Sequence, residues 1–272
     1  MRQARDFAAA DLVRQRLREG GWDVIDTHAG SRLNEVEPPP ASRAVTMLTL
    51  VHGWPDDLDR WLDGVLRHTV NHDFEALVVD NSGQRAVSDR LAARRGERVR
   101  ILAVRPPQGW AAAANRGLEV ASGEVVVLFD PGVELTGDVT SPLLDALSEP
   151  RVVAAGAFGV RGEGTVGHFH SHTGPQVDAL EGYVLAFRRR QALEAGGFDG
   201  KFRFYRLADF ELCFKLRDRL GGQAVVVADL PLQRHQHRLW EELSEEERER
   251  RSRRNYYRFR DLWGKREDLI GG

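Results

Sequence analysis

The chain has 272 residues, 42% of them apolar and 29% charged, enough for one large α/β domain or two small ones around a sizeable core. Its formal net charge of -2 gives no global attraction to nucleic acid, and its one cysteine, Cys213, excludes an intramolecular disulfide and a Cys-rich metal site. No apolar run approaches the roughly 18 residues needed to span a bilayer, and Met1 to Asp6 has no apolar core behind it, so the expectation is a cytoplasmic protein without a signal peptide.

Residues 4–19 carry helical periodicity, with Phe7, Leu12, Val13 and Leu17 toward one side and Gly20-Gly21 as the stop. Trp22 to Ile25 reads as a short strand. A polar stretch ending in Pro38-Pro39-Pro40 reads as an extended linker. The expected organisation is a helical appendage and linker over 1–41, a main domain over 42–265 and a tail over 266–272. From Val45 onward, strand and helix signals alternate. Strands are expected at Val45–Val51, Phe74–Val79, Val99–Val104 and Glu124–Phe129, with helices at Pro55–His68, Val87–Arg95 and Trp110–Ala121 between them. Strands this apolar belong to a sheet buried on both faces, and the alternation implies right-handed crossovers and a mainly parallel sheet.

Beyond Asp130 the rhythm changes. Thr140-Ser141-Pro142 opens a short helix. Arg151–Val160, Thr165–His172, Tyr183–Phe187 and Ala224–Val227 read as strands, Asp209–Leu220 as a helix, and Trp240–Trp263 as one long charged helix. That last helix reads first as a solvated face and second as a peripheral membrane contact, while the first 40 residues could pack on the sheet edge, form a homodimer contact or bind a partner.

Ligands of open parallel sheets bind beyond the carboxyl ends of the strands. Asp80 and Asp130 stand at two such ends. Either alone is also a common turn former. A carboxylate such as Asp130 suits Mg²⁺ or Mn²⁺ bridging phosphates, and Asp80 suits hydrogen bonds from a base. No Gly-x-Gly-x-x-Gly follows the first strand, where His52-Gly53-Trp54-Pro55 stands, and no P-loop exists. His168, His170 and His172 would share one strand face, as a polar surface hairpin, a pocket lining or a metal site. Neighbours on that face stand about 7 Å apart, awkward for three ligands on one ion. Trp110, at a helix start, reads as packing or as a pocket wall.

Gly109-Trp110-Ala111-Ala112-Ala113-Ala114-Asn115-Arg116-Gly117, then Ala121-Ser122-Gly123-Glu124, then the strand ending in Asp130, resembles the family 2 glycosyltransferases. Glu181-Gly182-Tyr183, Arg188-Arg189, Gly196-Gly197-Phe198-Asp199 and Asp209-Phe210-Glu211-Leu212 continue the resemblance in order, from about Val45 to Trp263. It implies a GT-A-type mainly parallel sheet flanked by helices, here with the N-terminal appendage. It also implies an inverting transfer of a sugar from a nucleotide-diphospho-sugar, a UDP-sugar being the commonest donor, to an acceptor hydroxyl. By resemblance, Asp80 contacts the base, Asn81, Gly109, Asn115 and Asp130 complete the donor site, and Asp209 is the catalytic base. A divalent cation would be held by Asp130 with His235 or His237 from Arg234-His235-Gln236-His237. Arg206, Arg234 and Arg238 are additional candidates for neutralising the diphosphate.

Two departures stand out. The family's Asp-x-Asp is Asp130-Pro131-Gly132 here, and its Glu-Asp pair is Ala208-Asp209. The missing second acid also admits a degraded domain that binds a nucleotide sugar or a partner protein without turnover. Asp209 itself, at a helix start, would serve equally as an N-cap.

Overall fold

The computed structural model describes residues 22–27, 30–35 and 43–271. The expected helix over 4–19 and the Pro38-Pro39-Pro40 linker lie outside them. The chain divides into two units, Met1–Ser42 and Arg43–Gly272. In the first, the strand at Trp22 extends to Thr27 and pairs antiparallel with Gly30–Glu35. The second strand falls in the stretch read as polar linker, because alternate apolar positions are too sparse there to signal it.

The second unit is built on an eight-stranded sheet. Its first half is β1 (Arg43–Val51), α1 (Pro55–His68), β2 (Phe74–Asp80), α2 (Arg85–Ala92), β3 (Val99–Ala103), α3 (Trp110–Val120) and β4 (Gly123–Phe129). The four strands lie side by side and parallel in the order β3, β2, β1, β4. The second half adds α4 (Thr140–Ser148), β5 (Val152–Gly156), β6 (Gln176–Val177), β7 (Val184–Arg188), α5 (Arg189–Glu194), α6 (Ala208–Leu220) and β8 (Gln223–Val226). Strand β7 inserts antiparallel between β4 and β5, and β8 and then β6 extend the far edge.

Period-two alternation explains the two-faced core. Leu48, Leu77, Leu128 and Leu185 face the layer containing α3 and α6, while Met47, Val78, Val127 and Ala186 face the layer containing α1 and α4. Gly117 lets α3 lie close on the sheet, since a Cβ there would stand 2.7 Å from Val79 Cγ2 and 2.8 Å from Leu48 Cδ1.

Two expected elements are broken. Arg151–Val160 divides at Ala157-Phe158 because Val152–Gly156 joins the main sheet and Gly159–Glu163 joins a smaller one. The charged C-terminal helix is split into α7 (Arg238–Glu241) and α8 (Glu245–Trp263), with Ser244 capping α8 by accepting from Glu247 N–H. Arg217 donates 2.8 Å to the carbonyl of buried Leu269, so the segment after Arg266, read as a tail, is docked on the core.

Candidate active site

Parallel pairing puts the ends of β1, β2 and β4 together and brings out His52, Asn81 and Asp130 in neighbouring positions. The antiparallel strand β7 begins at the same end, and Asp130 N–H donates 3.1 Å to the Tyr183 carbonyl. Glu181, Gly182 and Tyr183 are thereby drawn in. They line a cavity of about 210 Å³ with His52, Trp110, Asp130, Tyr205, Arg206, Asp209 and His237.

Asp209 enters on α6. The N-cap of this helix is Leu207 in the left-handed conformation, at φ 64°, so Asp209 lies within the first turn and does not cap it. Its Oδ2 accepts 2.6 Å from Gly182 N–H, and its Oδ1 accepts 2.9 Å from Phe210 N–H. A Cβ on Gly182 would stand 3.2 Å from that Oδ2, a tight contact that the glycine avoids. Burial pushes the Asp209 carboxyl up to about 7, the two backbone donors opposing it and the negative charge of Glu181 adding to it. Glu181 is also raised by burial, against the pull of Arg234 and Arg206.

Asp130 and His237 meet across the cavity floor, with Oδ2 and Nε2 2.8 Å apart. Burial disfavours the His237 cation, but the hydrogen bond and charge of Asp130 outweigh it and raise the imidazole above its ordinary value. The ring stacks 4.3 Å from Tyr205 and edge-on, at 5.7 Å, to Tyr183. Its chain segment is pinned by antiparallel pairing of Leu232–Arg234 with Val133–Leu135 and by an Arg238–Asp57 ion pair at 3.0 Å.

One carboxylate oxygen and one imidazole nitrogen fit an ion that takes its remaining ligands from a substrate diphosphate, the usual arrangement for small hard cations. They fit no ion held by protein alone. Among the described residues no group of three His, Cys, Asp or Glu side chains is placed to hold one. Restoring the second acid would require movement, because a Cβ on Gly132 would stand 2.9 Å from Asp130 Oδ1 and 3.0 Å from the Gln236 carbonyl. His235 has a different partner from the one expected: its Nε2 lies 2.7 Å from Glu134 Oε2, and its N–H donates to the Gly132 carbonyl. Between the two histidines, the Asp130 site takes His237.

The remaining expected donor-site residues make contacts within the protein. Asp80 is 1% exposed. Its oxygens accept from Ser82 N–H and Oγ at 3.1 and 2.6 Å, from Ser88 Oγ at 2.6 Å and from Arg105 Nη2 at 2.5 Å. Burial would raise its pKa, but these donors win and hold it below the ordinary carboxylate range. Asn115 clasps the Gly196-Gly197-Phe198 turn, with its Oδ1 accepting from Phe198 N–H and its Nδ2 donating to the Phe198 carbonyl, both at 2.8 Å. At Gly109 a Cβ would stand 3.0 Å from Arg203 Cα, and the amides of Trp110 and Ala111 donate to the carbonyls of Arg203 and Phe202. The start of α3 is thus closed by protein. Arg206 lies over the Trp240 ring at 4.6 Å and Arg234 over Tyr183 at 3.7 Å, both beside the cavity, while Arg238 is committed to Asp57.

His168 and His170 are exposed on the strand Thr165–His172, because Phe169 between them turns inward onto Phe210, Phe214 and Phe259. They lie outside the cavity lining. His52, Glu181 and Tyr205 are the site residues that motif reading assigned no role. The position of His52, directly after a buried strand, carried a local signal, as did the Glu181-Gly182-Tyr183 motif for Glu181.

The profile of glycosyl transferase family 2 matches residues 49–214, more than half of the chain. The chain belongs to that family. A search of curated proteins finds no match. Among solved structures, the fold resembles GalNAc-T7 crystallised with UDP, GalNAc and Mn²⁺, at 16% identity and a TM-score of 0.64 over 95% of this chain and 57% of that one. It also resembles the mannosyltransferase PcManGT of Pyrobaculum calidifontis in complex with GDP-Man and Mn²⁺, at 20% identity and a TM-score of 0.53 over 84% of this chain and 64% of that one. The chain therefore spans less than two thirds of either, and the likeness establishes the GT-A fold. No helix among the described residues is long and apolar enough to cross a membrane.

Proposed function

We propose that this family member transfers a sugar from a nucleotide-diphospho-sugar to an acceptor hydroxyl with inversion, and that Asp209 is the base. The observation that carries the reading is Asp209 itself, a buried carboxylate at the wall of the strand-end cavity whose pKa is pushed up to about 7. A base is most effective when its pKa lies near the operating pH. In a single displacement the acceptor oxygen forms a bond to the anomeric carbon as the bond to the diphosphate breaks. The acceptor proton passes to Asp209, and the electron pair leaves with the diphosphate. Gly182 N–H holds one Asp209 oxygen in place, leaving the carboxylate a defined direction.

Asp130 and His237 would hold a divalent cation together with the diphosphate, and such an ion supplies positive charge to the leaving group. Arg206 and Arg234, stacked on aromatic rings beside the cavity, add charge of the same sign. That both solved relatives carry a nucleotide or nucleotide sugar with Mn²⁺ supports this class of donor.

Asp209→Asn tests the mechanism. Transfer from UDP- or GDP-sugars is expected to fall by about 10³-fold, within the range for loss of a positioned base, with nucleotide affinity preserved in calorimetry. Undiminished transfer by the variant would refute the assignment. Donor binding without transfer by the wild-type protein, over a broad panel of acceptors, would favour the degraded-domain reading.

A further inference from the structure

Asn81 fixes the protonation pattern of His52. The Oδ1 of Asn81 accepts 2.8 Å from Gln108 N–H, and its Nδ2 donates 2.9 Å to the Gln108 carbonyl. Two backbone partners of opposite kind allow one orientation of the amide. The second hydrogen of Nδ2 then faces His52 Nε2, 3.2 Å away. That ring nitrogen must accept, which an imidazolium cannot do, so the ring is neutral and its proton sits on Nδ1. Burial acts the same way and lowers His52 to about 4, against the charges of Asp130 and Asp80.

His52 Nδ1 is buried and has no hydrogen-bond partner among the described residues. Buried donors are nearly always paired, and an orphan calls for a functional account. Its ring lines the same cavity as Asp130 and His237, at the end of β1 between the ends of β2 and β4. Of the charged groups around it, Asp80 accepts from Ser82, Ser88 and Arg105, Asp130 accepts from Gly132 N–H and His237, and neither is a partner of Nδ1.

Resting on the proposed function, we infer that His52 is a binding residue for the donor nucleotide, its Nδ1–H donating to an acceptor oxygen of the nucleoside diphosphate while Asn81 holds the tautomer. Asn81 thus acts on the donor through His52, with its own polar atoms held by Gln108.

The test uses the different reach of two amides. In His52→Asn the amide nitrogen stands near the place of Nδ1. In His52→Gln it reaches toward Nε2 instead. Titration calorimetry of the full chain with UDP and with GDP is expected to show His52→Asn within about threefold of wild type. His52→Gln and His52→Leu should each lose about tenfold, one hydrogen bond's worth. Because the ring is neutral, the ratio of wild-type to His52→Leu affinity should stay constant between pH 6 and 8. Repeating the titration with uridine and with inorganic pyrophosphate places the contact on the nucleoside or on the diphosphate, according to which probe keeps the difference. Equal affinities for His52→Asn and His52→Gln overturn the inference, as does a ¹⁵N histidine spectrum showing the Nε2–H tautomer in the free protein. Either result leaves the transferase reading standing. A wild-type protein that binds neither UDP nor GDP overturns both.

Discussion

Asp80 and Asp209 are both buried carboxylates at one end of the same sheet, and their acidities move in opposite directions. Asp80 belongs to the parallel half and is surrounded by two hydroxyls, a backbone N–H and the Arg105 guanidinium, which hold it ionised. Asp209 belongs to the half organised by the antiparallel strand. It has backbone donors and Glu181 nearby, and it rises to about 7. Burial is common to both, so the partners decide. A carboxylate surrounded by donors is a joint. One left with few donors on a cavity wall keeps a proton affinity suited to chemistry at neutral pH.

The largest effect should come from breaking the joint. Asp80→Ala strands the Arg105 guanidinium and two hydroxyls, and should cost about 3 kcal/mol, the low end for removing one member of a buried pair because Arg105 is partly exposed. Urea unfolding measures it. A loss under about 0.5 kcal/mol would mean that Asp80 is no joint and is available to a ligand.

Next is the pH dependence of stability. Between the ordinary Asp209 value of 3.8 and about 7, the folded protein keeps a proton that the unfolded chain has released. Stability therefore falls as pH rises through that window and levels off above it. Asp209→Asn should remove this fall and melt higher than wild type at pH 8 while being inactive. Parallel wild-type and variant melting curves from pH 4 to 8 would contradict the raised acidity.

A smaller effect is expected where α1 holds the His237 segment. Arg238→Ala frees that segment from Asp57 and should raise KM for the sugar nucleotide about fivefold, with kcat less affected, consistent with one charged hydrogen bond. An unchanged KM would leave the β-pairing of Leu232–Arg234 as the sufficient anchor. The smallest shift tests Glu181. Glu181→Gln removes a charge that raises Asp209, so the rise of kcat/KM with pH should move to lower pH by under about one unit. Movement to higher pH would reverse the assigned coupling.

Much of this molecule is local in origin and legible along the chain. The apolar runs of β1, β2 and β4, with α1 and α3 between them, prescribe a parallel sheet buried on both faces. Asp80 and Asp130 are placed by being the first polar residues after such runs. What α6 does with Asp209 was half legible: a helix start is visible, but the left-handed Leu207 one step earlier, which turns Asp209 from a cap into a wall of the cavity, is not.

The amino-acid order alone thus determined the fold class and set Asp80 and Asp130 at strand ends and Asp209 at a helix start. Tertiary structure decided what each of them is. It paired Asp80 with Arg105 from the loop after β3, and Asp130 with His237 rather than His235. It turned Asn115 onto the Gly197-Phe198 backbone, and set Glu181 beside Asp209 through β7. These partners lie far apart in the chain and meet only through strand order. Since acidity, tautomer and ligand capacity follow from what stands a few ångströms away, no spacing along the sequence encodes them.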